Sequence, residues 1–207
     1  MSDEFELKPI STAAVPKAIK RAEQYRLLNE PEQAESICLD ILAAQPGDQY
    51  TLTVLILAIT DQFGREGSAG VRHAGEYVTR LDDEYQRYYY GGLVLERQAR
   101  AYLGRGKSRV AAYDCFRDAM DLYEKAERLR PEDDDSALLR WNACLRTIRR
   151  GQLQPPPADE REQLTTLLAR LSAHLTTLDL DSITAAAKPR RTLRTAKPRQ
   201  RKGALHD

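Results

Sequence analysis

The hydrophobic positions of residues 17–46 recur at helical spacing on either side of a short polar turn. The stretch reads KAIKRAEQYRLLNEPEQAESICLDILAAQP, and its turn lies at Asn29–Pro31. Pro31 suits the first turn of a helix, where its missing N–H needs no partner, and Pro46 cannot continue one. The pattern therefore predicts two short amphipathic helices, the second covering about 31–44.

Helical spacing continues beyond this pair. A segment over about 49–62 is apolar almost all round, which predicts burial on more than one side. A glycine-containing loop over 63–69 precedes a predicted helix over 70–81. The next helix runs through Leu103 but contains Gly91–Gly92, which predicts either a bend or the close approach of a neighbouring backbone.

Polar residues mark three further helix starts. Asp48 and Ser108 stand where a side chain would accept free N–H groups of the helices that follow. The acidic run 132–136 precedes an amphipathic segment at 137–149, and acids at a helix start interact favourably with its dipole. The calcium-loop spacing that a cation site would need is missing from this run.

The C-terminal quarter is divided by a break at 151–157, which contains three consecutive prolines. A last amphipathic helix is predicted within 158–184. Its leucines alternate steps of four and three over two heptads: Leu164, Leu168, Leu171, Leu175 and Leu178. This row of leucines predicts either a helix that caps the open end of a helical stack or a homodimer through 158–178. Residues 1–12 are predicted to form a flexible lead, and 185–207 are predicted to be disordered.

Composition supports an all-α protein without a membrane span. Hydrophobic residues make up 42% of the 207 residues and charged residues 30%, and runs that would alternate as strands are missing. The apolar run 52–59 is too short to cross a membrane. The acidic N-terminus lacks the order of a signal peptide, so a cytoplasmic location is expected. The cysteines lack metal-ligand spacing and are expected to be reduced: Cys38, Cys115 and Cys144.

The helix pairs resemble tetratricopeptide repeats, which are helix–turn–helix units of about 34 residues. The first unit carries the pattern at Ala22, Tyr25, Ala34, Cys38, Ile41 and Pro46. A second unit carries it at Leu95, Ala99, Tyr102, Gly106, Ala119, Tyr123, Ala126 and Pro131, with eight extra residues between its halves. Those extra residues predict a second helix that is lengthened at its start.

The resemblance implies a short solenoid of stacked antiparallel helix pairs over 13–150, with a concave face that binds a protein or peptide partner. It implies no catalysis and no cofactor. The inward-facing candidates on that face are Ile19, Glu23, Arg26, Glu96, Arg100 and Leu103. In the family, a C-terminal carboxylate is held by lysine and asparagine at the positions that Ile19 and Glu23 occupy here. A carboxylate clamp of that kind is therefore not expected.

The sequence contains no catalytic or metal-binding motif. His73, His174 and His206 lie apart from paired cysteines or carboxylates, and the glycines have turn spacing rather than the spacing of a phosphate-binding loop. A tyrosine cluster consists of Tyr85, Tyr88, Tyr89 and Tyr90, of which Tyr85 and Tyr89 share one face of the predicted helix and Tyr88 lies beside them. Two interpretations of this cluster stay open: core packing with solvated hydroxyls, or contact with a partner.

Charge is distributed unevenly. Residues 1–187 carry 24 Lys and Arg against 30 Asp and Glu, a formal net charge of −6. Eight basic residues and no acid lie in the following fifteen positions: Lys188, Arg190, Arg191, Arg194, Lys197, Arg199, Arg201 and Lys202. Such a tail is solubilising, binds DNA or RNA without sequence preference, or binds an acidic protein surface. The sequence favours a non-enzymatic interaction scaffold, with nucleic-acid association through this tail as the alternative.

Overall fold

The computed structural model describes residues 6–65, 70–104, 106 and 108–155. In these ranges the regular structure is helical. A 3-10 turn at Thr12–Ala14 leads into helices α1 (Val15–Leu27), α2 (Pro31–Ala44), α3 (Gln49–Asp61), α4 (Val71–Val78), α5 (Glu84–Gly104), α6 (Arg109–Glu127) and α7 (Ser136–Gly151). The helical pair over 17–46 is confirmed, and the predicted helix at 158–184 and tail at 185–207 lie outside the described residues.

Helices α2, α3 and α6 begin at the residues that the sequence predicted. Pro31 is the first residue of α2, and Asn29 before it adopts a left-handed conformation with φ of 61°. An Oδ1 atom of Asp48 accepts a hydrogen bond from the Thr51 N–H at 2.6 Å, which caps α3. Ser108 caps α6 by accepting from the Ala111 N–H at 3.2 Å. Both predicted caps are therefore confirmed.

Helix α4 is shorter than the predicted helix over 70–81. The backbone N–H of Asp82 donates to the side chain of Gln49 at 2.9 Å instead of to a carbonyl of its own helix. Arg87 donates to the carbonyls of Leu81 and Asp82 at 2.7 and 2.8 Å. The N–H groups of Arg80 and Leu81 close tight turns onto the carbonyls of Tyr77 and Val78, so α4 ends at Val78 while Leu81 remains buried.

Each helix packs against the next one along the chain. The odd-numbered helices also contact one another in series, α1 with α3, α3 with α5, and α5 with α7. Helix α3 accordingly has neighbours on several sides, and almost every residue from Thr51 to Thr60 is buried. The prediction that this helix is buried on more than one side is confirmed.

Two clusters of buried side chains form the core. The first surrounds α3 and includes Ala22 of α1 and Ala34 of α2, both fully buried. The second surrounds α6 and includes Phe116, Met120 and Tyr123. Leu153 also belongs to the second cluster, because the chain reverses at Gln152, whose φ is 47°, after α7 ends. Part of the predicted linker at 151–157 thus packs on the helices.

Gly91 and Gly92 lie within a continuous α5. A Cβ atom placed on Gly92 would be 2.8 Å from the ring of Tyr123 in α6. The close neighbour at this position is therefore an aromatic side chain, not the backbone that one interpretation of the two glycines had favoured. The missing side chain allows the Tyr123 ring to lie flat against α5.

Candidate protein-binding surface

The six residues predicted to face a partner lie on two odd-numbered helices. Ile19, Glu23 and Arg26 belong to α1, while Glu96, Arg100 and Leu103 belong to α5. Helix α3 contacts both α1 and α5. Five of the six side chains are at least partly exposed, and Glu96 is 1% exposed.

Glu23 is engaged by a residue of α3. The hydroxyl of Tyr50, which is an exposed side chain, donates a hydrogen bond to Oε1 of Glu23. This hydrogen bond to a carboxylate raises the pKa of Tyr50, because it stabilises the protonated hydroxyl. The pair joins the start of α3 to α1.

Arg26 shares a carboxylate with a second arginine. Its Nε donates to Oδ2 of Asp61 at 2.8 Å, and Nη1 of Arg97 donates to Oδ1 of the same residue. Arg97 also donates to the Leu57 carbonyl at 3.0 Å and to the Thr60 hydroxyl at 2.7 Å. Asp61 at the end of α3 thus joins α1 to α5. These three residues are called the Asp61 triad.

Glu96 is at the centre of a second group that also consists of one carboxylate and two arginines. Its Oε1 accepts hydrogen bonds from Nε and Nη2 of Arg100 at 3.1 and 2.9 Å, and Nη1 of Arg140 lies 3.6 Å from that oxygen. Its Oε2 accepts from the Tyr123 hydroxyl at 2.8 Å. Burial, followed by the charge of Glu96, raises the pKa of Tyr123 and keeps its hydroxyl protonated as a donor. Arg100, Arg140 and Glu96 are called the Glu96 triad.

Glu96 therefore has its own partners inside the protein. A carboxylate that is almost fully buried needs charged and hydrogen-bonding partners, and this one has both. Glu96 contributes to the exposed surface indirectly, because it orients the side chains of Arg100 and Arg140. Sequence reasoning did not find Asp61, Arg97 or Arg140, although Asp61 is conspicuous as a charged residue at the end of an apolar helix.

An open cleft of about 550 Å³ lies between the C-terminal parts of α3 and α5. Its lining includes Thr60, Asp61 and Phe63 on one side and Arg97, Arg100 and Ala101 on the other. One arginine of each triad therefore lines the same cleft. A second open cleft, of about 610 Å³, lies between α6 and α7 beside Trp141, whose Nε1 donates to Glu124 at 3.0 Å.

The tyrosine cluster connects α5 with α6 and α7. Tyr85 stacks on Tyr89 with ring centroids 5.9 Å apart, and Tyr89 lies 6.0 Å from the ring of Tyr123. The Tyr85 hydroxyl donates to Oδ2 of Asp134 at 2.7 Å, and Oδ1 of Asp134 accepts from the backbone N–H of Ser136, the first residue of α7. These hydrogen bonds lower the pKa of Asp134. The cluster residues are half-buried, and the hydroxyls of Tyr85 and Tyr88 donate to the carboxylates of Asp134 and Glu84.

The eight basic residues at 188–202 and the row of leucines at 158–178 lie outside the described residues. Within the described ranges, every helix is too short or too polar to span a lipid bilayer. In the same part of the chain, no group of three or more His, Cys, Asp and Glu side chains is arranged to hold a metal ion. Comparisons of the chain with models of protein families, with curated proteins and with solved structures found no match.

Proposed function

We propose that this chain is a non-enzymatic scaffold or adaptor of the tetratricopeptide-repeat type, which holds a protein or peptide on the face formed by α1, α3 and α5. The observation that carries the proposal is the serial contact of the odd-numbered helices. In a stack of antiparallel helix pairs, the first helix of every pair lines one side, and neighbouring units bury one another's apolar faces. The pairs would be α1 with α2, α3 with α4, and α5 with α6.

The chemistry of that face supports recognition of a partner. Half-buried Ile19 and Leu103 offer apolar contact, while Arg26 and Arg100 are oriented by carboxylates of the same surface. Oriented arginines with apolar neighbours are the combination that protein interfaces favour. A cytosolic location is part of the proposal, and the three free thiols of the described chain suit a reducing compartment.

Site-specific photo-cross-linking tests the proposal. A benzophenone side chain is placed at Ile19 or at Leu103 in the full chain, and the protein is irradiated in extract of its source cells. Matched controls carry the probe at Leu39 on α2 and at Leu129 beyond α6, which are 42% and 46% exposed. We expect a discrete protein adduct from the first two positions and none from the controls. Equal adducts from all four positions would contradict the proposed binding face.

The second candidate function is DNA or RNA binding through residues 188–202, where eight basic residues occur without an acid. Affinity that comes from phosphate contacts falls steeply as salt rises. Fluorescence anisotropy with labelled duplex DNA and RNA therefore compares the full chain with a chain lacking 186–207, at low and near-physiological salt. Salt-dependent binding by the full chain alone would favour this candidate, and unchanged partner capture by the truncated chain would favour the scaffold.

A further inference from the structure

The two triads together carry more positive than negative charge, and three of their members, Asp61, Arg97 and Arg100, line the cleft between α3 and α5. Asp61 is shared by Arg26 and Arg97, and Glu96 is shared by Arg100 and Arg140. Four guanidinium groups are thus paired with two carboxylates. All six residues belong to odd-numbered helices, so the excess is located on a single row of helices.

The pKa of Arg97 depends first on its burial and then on its charged neighbours. Burial lowers the pKa of Arg97, and the positive charges of Arg26 and Arg140 lower it further against the opposing effect of Asp61. Asp61 therefore does not fully compensate for the burial of this guanidinium and the repulsion from its neighbours. An additional negative charge in the cleft would stabilise the arrangement.

The geometry leaves hydrogen-bond donors available for such a charge. Arg100 uses Nε and Nη2 for Glu96, and the three bonds of Arg97 all come from its Nη1. Within the described part of the chain, no acceptor is paired with Nη1 of Arg100 or with Nε and Nη2 of Arg97. A guanidinium that is already oriented by one carboxylate loses little freedom when it binds a second.

We propose that this cleft binds an aspartate or glutamate side chain from an acidic peptide segment of a partner protein. The inference rests on the proposed scaffold function and states the chemical class of the segment that the scaffold would bind. Phe63 and Ala101 supply the apolar part of the lining, beside which the methylene groups of such a side chain would lie. A peptide is favoured over a nucleic acid, because nucleic-acid affinity comes from many phosphate contacts and the described lining of this cleft holds two arginines.

The test uses the full chain and a fluorescein-labelled glutamate-rich peptide, with lysine-rich and glutamine-rich peptides of equal length as comparisons. Arg100→Gln removes a charge at the cleft. Arg117→Gln is the matched control, since Arg117 on α6 is 46% exposed against 45% for Arg100 and also has an acidic partner one helical turn away. We expect the glutamate-rich peptide alone to bind, and Arg100→Gln to weaken it at least about tenfold while the control stays within about twofold.

A second variant keeps both triads intact. Ala101→Glu adds a negative charge to the lining of the cleft without removing an ion pair, and we expect a loss of affinity of at least about tenfold. Circular dichroism of each variant checks that the helices remain folded. The basic residues at 188–202 would attract the same peptide, so the affinities are compared in chains that lack 186–207 as well as in full chains.

Three results would overturn the inference. The first is equal affinity of the wild type, Arg100→Gln and Ala101→Glu. The second is binding of the lysine-rich peptide as tight as that of the glutamate-rich one. The third is loss of binding to a labelled single-stranded RNA in Arg100→Gln while the acidic peptide never binds, which would assign the cleft to nucleic acid. Partner adducts at Ile19 and Leu103 that persist in Arg100→Gln would leave the scaffold function standing while this inference fails.

Discussion

Replacement of Gly92 by alanine tests the packing of α5 against α6. In an ordinary helix interior, this change stabilises the protein by about 1 kcal/mol, because alanine has the higher helix propensity. Here the new Cβ atom would lie 2.8, 2.9 and 3.1 Å from three carbon atoms of the Tyr123 ring. Those distances are shorter than van der Waals contact allows, so either the ring or the helix must move.

The ring cannot move freely. Tyr123 is fully buried, and its hydroxyl donates to the buried Glu96 at 2.8 Å. Overpacking of this kind typically costs about 1–3 kcal/mol, and weakening a hydrogen bond to a charged group adds to that cost. After the gain in helix propensity is subtracted, we expect Gly92→Ala to lower the free energy of unfolding by about 1–3 kcal/mol.

Urea denaturation followed by far-UV circular dichroism measures the change. Gly75→Ala in α4 is the matched control, since a Cβ atom there has no neighbour within 4 Å. We expect the control to raise the free energy of unfolding by up to about 1 kcal/mol. In a double-mutant cycle with Tyr123→Leu, the effect of Gly92→Ala should shrink once the ring is gone. A Gly92→Ala protein as stable as the wild type would refute the proposed contact.

Three further predictions concern other parts of the fold. Ala34→Trp should lower the free energy of unfolding by about 1–3 kcal/mol, because Ala34 is fully buried beside α1. Burial and the neighbouring carboxylates raise the pKa of Asp118, so its ionisation destabilises the folded state at neutral pH, and Asp118→Asn should stabilise the protein there by at most about 0.5 kcal/mol. Buried Cys38 and Cys144, whose pKa values burial raises to about 12, should react with a disulfide reagent at pH 8 more slowly than Cys115.

Each of these predictions has its own contradicting result. An unchanged melting temperature in Ala34→Trp would mean that α1 and α2 do not cross closely at this residue. For Asp118→Asn, the gain should disappear in acid below the ordinary aspartate range, where the wild-type residue is also neutral. A gain that is the same in acid and at pH 7 would exclude the electrostatic cause. For the thiols, Cys115→Ser should remove the fastest labelling phase, and its persistence would contradict the assigned burial.

Local patterns predicted the helices well, since the residues that start and end them act on their own neighbours. Pro31 and Asp48 begin α2 and α3 as expected, and Ser108 begins α6. The prediction for α4 was three residues too long at its C-terminal end because Arg80 and Leu81 close tighter turns and the N–H of Asp82 donates to Gln49. Asp82 and Gln49 are 33 residues apart, so no local pattern encodes their hydrogen bond.

For the candidate surface too, the sequence predicted some features and only the tertiary structure revealed the others. The resemblance to tetratricopeptide repeats implied Arg26 and Arg100 as residues that face a partner, and this role stays a prediction. The pairing of Arg26 with Asp61 and of Arg140 with Glu96 joins positions 35 and 44 residues apart, and no local pattern encodes which acid meets which base. The burial of Glu96 follows from the packing of α5 between α6 and α7, so it could not be read from the sequence of α5.

The sequence by itself determined that the described chain is helical, where most helices begin, and which faces are apolar, since propensity, capping and periodicity act over a few residues. The tertiary structure decided that two carboxylates are each shared by two arginines and that Gly92 makes room for Tyr123. These features depend on distances between separate helices. Such distances are fixed only when the apolar faces pack together and bring particular polar side chains within hydrogen-bonding reach.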